Sequence, residues 1–133
     1  MRRVLNLDGE YDFSILGISC HSKDYRLYWE INQALGLDLQ KKMDGEDDEG
    51  SNSPGASYLD GERHLDYQLL SNKIEGGLLI PELPQLDYFM RIEGPGHEEE
   101  VKDCRPRLMD IDLVLAVMEL SPGQLKSRDN LIF

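Results

Sequence analysis

Three residues in the second half of the chain have the types and the spacing that a divalent metal site needs. Asp87 is followed by Glu100 and then, two positions later, by Lys102. In metal-dependent nucleases and phosphodiesterases, such carboxylates hold Mg²⁺ while a lysine orients or activates the attacking water. In those enzymes the acid-x-Lys pair normally lies on a strand, whereas here it falls in a glutamate-rich segment that is typical of a helix. We therefore treat this set as the alternative interpretation.

The segment IPELPQLD contains a second pair of acids, Glu82 and Asp87. Two carboxylates close together can share acid–base work. A structural role is favoured, however, because Pro81 and Pro84 hold the residues before them in an extended conformation. We predict a stiff, non-helical lead into a strand at 86–92, with both acids holding neighbouring groups and taking no part in catalysis.

Motifs that would hold another ion or a phosphate are absent from the sequence. A twelve-residue calcium loop beginning at Asp44 would need glycine and glutamate where Glu49 and Gly55 stand. No GxxxxGK[ST], GxGxxG or GxSxG motif occurs, and no two histidines share a helical turn as in an HExxH zinc site. The histidines are His21, His64 and His97. The sequence therefore predicts no cofactor, and Mg²⁺ enters only with the alternative nuclease.

The charge balance argues against nucleic acids and membranes as partners. The chain has 133 residues, of which 14 are basic and 26 acidic, and its formal charge is −12. Such a surface repels phosphate backbones and anionic lipids. The longest run typical of a buried strand, LVLAVM at 113–118, is far shorter than the roughly 20 residues of a membrane span. We expect one cytoplasmic domain over 1–133, with Cys20 and Cys104 reduced.

The first half of the chain predicts two strands, a helix and a loop. Residues 2–7 and 12–20 alternate as strands do. Ser22 is a suitable N-cap for a helix that Gly36 can close in a left-handed conformation. Residues 44–55, DGEDDEGSNSPG, combine like charges with turn formers and predict a mobile acidic loop within the domain. The helix has a wide apolar face, which places Trp29 in the core.

The second half predicts a hairpin, a strand, a helix and a buried strand. The hairpin turns at Gly61-Glu62, with Leu65, Tyr67 and Leu69 on one face. The strand at 86–92 directs one face to the core, namely Leu86, Tyr88, Met90 and Ile92, while Asp87, Phe89 and Arg91 lie opposite. The helix buries Val101, Cys104 and Leu108, and should end or kink near Cys104–Arg105 because Pro106 removes a hydrogen bond. LVLAVMEL suits a strand buried on both faces, Ser121-Pro122 opens a short helix, and NLIF tucks against the body.

Together these elements predict an α+β domain of two layers. We expect a mostly antiparallel or mixed sheet with about two main helices on one face. This expectation rests on the spacing of apolar residues. Leu65 belongs to an alternating pattern, which predicts a strand, and Val101 belongs to a helical pattern.

The segment around Glu82 resembles the signature of the IPExxxVDY family of small bacterial proteins. Ile80, Pro81, Glu82, Asp87 and Tyr88 match that signature, with Leu86 in place of its valine. KDYRLYW at 23–29 and LKSRDNLIF at 125–133 are also similar to segments of that family. The resemblance implies a bacterial, cytoplasmic protein and supplies no catalytic residues. A link to a restriction-endonuclease-like fold keeps the nuclease, or an inactive relative of it, as the alternative.

Our first hypothesis is a non-enzymatic interaction or adaptor domain that binds a protein partner. The residues expected at the binding surface are Pro81, Glu82, Pro84, Asp87 and Trp29. The alternative is a metal-dependent nuclease or phosphodiesterase using Asp87, Glu100 and Lys102. A homodimer through a sheet edge or the apolar C-terminus is a third possibility.

Overall fold

The computed structural model describes residues 12–20, 25–41, 55–74, 76–126 and 131. The strand expected at 2–7, the cap at Ser22 and all of the acidic loop except its last residue lie outside these ranges. That last residue, Gly55, opens a strand.

The described residues form an antiparallel sheet with two helices. The strands are β1 Phe13–Cys20, β2 Gln40–Lys41, β3 Gly55–Asp60, β4 Leu65–Ser71, β5 Lys73–Ile74, β6 Gly77–Leu78, β7 Tyr88–Glu93 and β8 Val114–Leu120. The helices are α1 Tyr25–Leu35 and α2 His97–Met109, and a 3-10 helix spans Pro122–Gln124. The main sheet has the order β2-β3-β4-β7-β1-β8, while β5 and β6 form a small hairpin. The α+β class and the antiparallel sheet are confirmed.

Both faces of the main sheet carry a hydrophobic core. One core joins the sheet to α1 and α2, and includes Leu27 and Leu108 from the helices and Met90 from β7. The other core lies on the opposite face, where Phe89 of β7 packs with Ile80 and other residues of the segments that precede β7 and follow β8. The helices therefore cover one face, and irregular segments cover the other.

Strand β7 is buried on both faces, which corrects the prediction of a single core face. Phe89 and Arg91 are buried, as is Met90 on the other face. Leu86 was expected to share the face of Tyr88 and Met90 but belongs to the second core. It precedes β7 and ends a turn, so the alternation of the strand does not extend to it.

The apolar sequence of β8 predicted a strand buried on both faces, and this prediction is wrong. It lies at one end of the order of described strands, so it has a neighbour on one side only. Val114 and Val117 are buried against the helices, whereas Leu115 and Met118 are 51% and 41% exposed. The sequence shows that the strand is apolar but not where it lies in the sheet.

Helix α1 ends as predicted but faces the sheet differently. Gly36 has φ of 67°, and the N–H of Leu37 donates to the carbonyl of Asn32, which closes the helix in a left-handed cap. Trp29 was expected in the core and is 59% exposed. The buried stripe is the one carrying Leu27 and Ile31, and Trp29 is turned roughly 200° from each of them on the helix.

Helix α2 continues through Pro106, so the expected end or kink near Cys104–Arg105 is wrong. The proline lies inside the helix, which extends to Met109. The last turn is stabilised because Leu108 and Ile111 are buried in the helix-facing core. This burial offsets the hydrogen bond that the proline ring removes.

Several local predictions are confirmed. The β3–β4 hairpin turns at 61–64 and buries Leu65, Tyr67 and Leu69. Ser121 precedes the 3-10 helix as its N-cap with proline in the first position, and Leu131 is buried in the second core.

Among the described helices, none is long and apolar enough to cross a membrane.

Candidate functional site

Residues 80–86 form two consecutive tight turns, each with a proline in its second position. The N–H of Leu83 donates to the carbonyl of Ile80 at 3.0 Å, and the N–H of Leu86 donates to that of Leu83 at 3.2 Å. Proline presets the backbone angle that the second position of such a turn requires. The segment is therefore stiff and non-helical, as predicted.

The two turns sort their residues into an inner and an outer set. The residues at the turn ends point into the second core, with Ile80 and Leu86 buried and Leu83 half-buried. The residues between them are exposed. We call this exposed set the proline ridge; it consists of Pro81, Glu82, Pro84 and Gln85.

A buried asparagine fixes the proline ridge to the sheet. Asn72 follows β4 and is 0% exposed. Its side-chain amide donates to the carbonyls of Leu83 and Leu86 at 3.0 and 2.9 Å, and its side-chain oxygen accepts the N–H of Ile80 at 2.8 Å. The backbone carbonyl of Asn72 also accepts the N–H of Leu79 at 2.7 Å. The residues at the ends of the two turns, Ile80, Leu83 and Leu86, are thus all hydrogen-bonded to the Asn72 side chain.

Asp87 holds backbone groups where the ridge meets the sheet. Its carboxylate accepts the N–H of Cys20 at 2.9 Å, and its own N–H donates to the carbonyl of Ile18 at 2.8 Å. The N–H of Cys20 needs this acceptor because it faces β7 beyond the last residue pair of the β1–β7 ladder, Ile18 with Tyr88.

Arg91 is buried at the other end of β7. Its guanidinium donates to Gln68 at 3.1 Å and to Glu93 at 3.0 Å, and it lies 4.4 Å above the ring of Phe13. These contacts give a buried cation both hydrogen bonds and an aromatic face.

The structure does not bring Trp29 to the proline ridge. Trp29 belongs to α1 in the helix layer, and the ridge covers the opposite face of the sheet. The single binding surface that the sequence suggested is therefore two surfaces with the sheet between them.

The structure also separates the acids of the alternative metal site. Glu100 is bound by Tyr67, and Tyr67 pairs with Ile92, five positions along β7 from Asp87. Five strand positions span roughly 16 Å, whereas oxygen ligands lie about 2–2.6 Å from their metal ion. One ion cannot be held by both acids.

Lys102 points away from Glu100. Two residues apart on a helix are turned by about 200°. Accordingly, the Lys102 ammonium pairs with Glu119 of β8 at 3.2 Å, while Glu100 faces the β3–β4 hairpin. Among the described residues, no group of three or more potential ligands could hold a metal ion.

Glu100 is the centre of a network that ties α2 to the β3–β4 hairpin. The Tyr67 hydroxyl and the Arg63 guanidinium donate to its carboxylate at 2.6 and 2.9 Å. Burial alone would raise the pKa of Glu100, but these hydrogen bonds and the Arg63 charge outweigh it and lower the pKa. Burial and the neighbouring carboxylate raise the pKa of Tyr67 in turn.

A groove of about 420 Å³ lies between the start of α2, β1 and the 3-10 helix. In it the Ser14 hydroxyl and His97 Nδ1 are 2.7 Å apart. A serine bound to an imidazole is half of a nucleophile–base set, which also needs a group that orients the imidazole. None of the described side chains is hydrogen-bonded to the other ring nitrogen of His97. We assign this contact the role of tying α2 to β1.

Sequence reasoning missed Asn72 and the Ser14–His97 pair. The only signal for Asn72 was its place between a strand and the Gly76-Gly77 turn, which many surface asparagines share.

A comparison with protein-family models, with curated proteins and with solved structures found no match to this chain.

Proposed function

We propose that this chain is a non-enzymatic interaction domain and that the proline ridge is the surface its protein partner binds. The observation that carries this proposal is the combination of exposure and rigidity in one segment. Four neighbouring residues are exposed, while the turns that present them are held by a fully buried Asn72.

Rigidity matters because binding is opposed by the ordering of flexible segments. A surface that is already fixed loses little conformational entropy on association. Two prolines and the hydrogen bonds of Asn72 fix the ridge before any partner arrives. A rigid ridge with exposed side chains is therefore suited to recognition.

The partner surface should be basic or neutral. The chain carries a formal charge of −12, and Glu82 lies at the centre of the ridge. Complementary charge speeds association and disfavours acidic partners. Four exposed residues are also fewer than the roughly 20 or more that a standard interface uses on each side, so neighbouring surface must contribute.

We also propose that the protein is cytoplasmic. Cys20 and Cys104 are both reduced thiols. Disulfides are rare in reducing compartments and common in secreted proteins, and reduced thiols fit the reducing compartment. The resemblance to the IPExxxVDY family points the same way.

The test is to measure partner affinity and thermal stability for Glu82→Ala. Loss of a central charged contact should weaken binding about tenfold or more. The melting temperature should fall by less than about 3 °C, because the side chain is exposed. Unchanged affinity would contradict the proposal, and a large fall in melting temperature would give Glu82 a structural role instead.

A further inference from the structure

Strand β8 is the longer of the two edge strands among the described residues. It spans seven residues, against two in β2 at the other end of the sheet. Leu115 and Met118 are exposed on it. A long apolar edge is a template on which another chain can add a strand, and proteins usually protect such edges.

The pairing of β1 shows which backbone groups of β8 face outward. The carbonyl of Ile18 accepts the N–H of Asp87, so the polar groups of Ile18 point toward β7. Ile18 lies opposite Val117 in the β1–β8 pair. In antiparallel pairs these positions alternate, so Ile18 and Val117 form a pair without mutual hydrogen bonds. The N–H and carbonyl of Val117 therefore point to the outer edge.

One side chain of α2 donates a hydrogen bond to this outward carbonyl. Arg105 Nε donates to the carbonyl of Val117 at 3.1 Å. One turn earlier on the same helix, Lys102 pairs with Glu119 of β8 at 3.2 Å. Two cations of α2 thus lie along the edge strand.

We infer that Arg105 is a guard on the outer edge of β8, where it blocks the addition of a second copy of this chain as a strand. Val117 is the middle residue of β8. An antiparallel pair of two β8 strands centred there is self-complementary, as a two-fold dimer requires. Such pairing would set Met118 of each copy opposite Ala116 of the other and Leu115 opposite Glu119. Each copy would first have to release its Arg105 contact.

The test compares Arg105→Met with Arg107→Met by sedimentation velocity over a wide range of concentration. Both changes remove one positive charge from α2 and add the same apolar side chain. Arg107 pairs with Asp103 on its own helix, so it is the matched control. Methionine keeps the apolar stem of Arg105 but cannot donate to Val117.

We expect R105M to dimerise more tightly than the natural protein, while R107M behaves like it. Each copy releases one guard contact, so the dimer dissociation constant should fall about tenfold per copy and about a hundredfold in all. Adding Leu115→Lys to R105M should restore the monomer by placing a charge on the edge. Equal self-association of R105M and R107M, or no effect of Leu115→Lys, would overturn the inference.

Discussion

The side-chain oxygen of Asn72 accepts the N–H of Ile80 at 2.8 Å, which ties the end of β4 to the first proline turn. The same side chain donates to the carbonyls of Leu83 and Leu86, where the second turn begins and ends. A single buried amide thus sets the conformation of the exposed proline ridge. The binding surface we propose depends on a residue that no partner could touch.

Replacing Asn72 with alanine should destabilise the protein strongly. The change leaves the N–H of Ile80 without its buried acceptor and removes two donors from carbonyls beneath the ridge. Each orphaned buried group costs about 1–3 kcal/mol, so we expect a loss of about 3 kcal/mol or more in the free energy of unfolding. The loss in the free energy of unfolding is measured by urea unfolding followed by circular dichroism.

Gln85→Ala is the control for Asn72, because it removes an amide from the exposed side of the same segment. Its effect should stay within about 0.5 kcal/mol. A loss below about 1 kcal/mol for Asn72→Ala would show that the ridge keeps its shape without this residue.

Glu100→Gln should make stability less sensitive to acid. Hydrogen bonds and the Arg63 charge outweigh burial and lower the folded-state pKa of Glu100. A lowered pKa gives stability that is fully present above the unfolded pKa of about 4.3 and is lost as pH falls through the folded value. The advantage of the natural protein over Glu100→Gln should therefore be largest above about pH 5 and shrink below it.

Glu99→Gln is the matched control for Glu100, since it lies in the same first turn of α2 but is exposed. Both changes alter the interaction with the helix dipole equally. Urea unfolding at neutral and acidic pH measures both variants. If the two variants show the same pH dependence, the network with Tyr67 and Arg63 does not carry the effect.

Cys104 should resist alkylation in the folded protein. It is 0% exposed, and burial together with the Glu100 charge raises the pKa of its thiol to about 12. At pH 8 only about one thiol in ten thousand would then be the reactive thiolate. Cys20 is half-buried and should react first. Mass spectrometry of iodoacetamide-treated protein over time measures both rates.

Unfolding in urea provides the control, because both cysteines should then react at similar rates. Modification of Cys104 as fast as Cys20 in the folded protein would contradict the packing of α2 against the sheet.

The sequence predicted those elements whose signals are local. The hairpin followed from the Gly61-Glu62 turn and the alternation of Leu65 and Tyr67. The stiffness of the ridge followed from Pro81 and Pro84. In each case the residues that define the element are neighbours in the chain.

Features that depend on distant partners were not predictable. Asn72 is bound to groups 8 to 14 positions later, and its role exists only once the chain has turned back. The exposure of Leu115 depends on the place of β8 in the sheet. For Trp29, two neighbouring stripes of α1 were both apolar, and only packing chose between them. For Pro106, the burial of Leu108 outweighed a local helix breaker.

The most direct test of the proposed function is affinity capture with the natural protein, Glu82→Lys and Glu62→Lys. Glu62 is an exposed acid in the β3–β4 turn, at the end of β4 away from Asn72, so its reversal is the matched control. Each tagged protein is incubated with a lysate of its native cells, with and without nuclease treatment, and bound proteins are quantified by mass spectrometry. We predict a stoichiometric protein partner that the natural protein and Glu62→Lys retain and Glu82→Lys loses. Equal recovery by all three proteins, or a partner that disappears on nuclease treatment, would contradict the account.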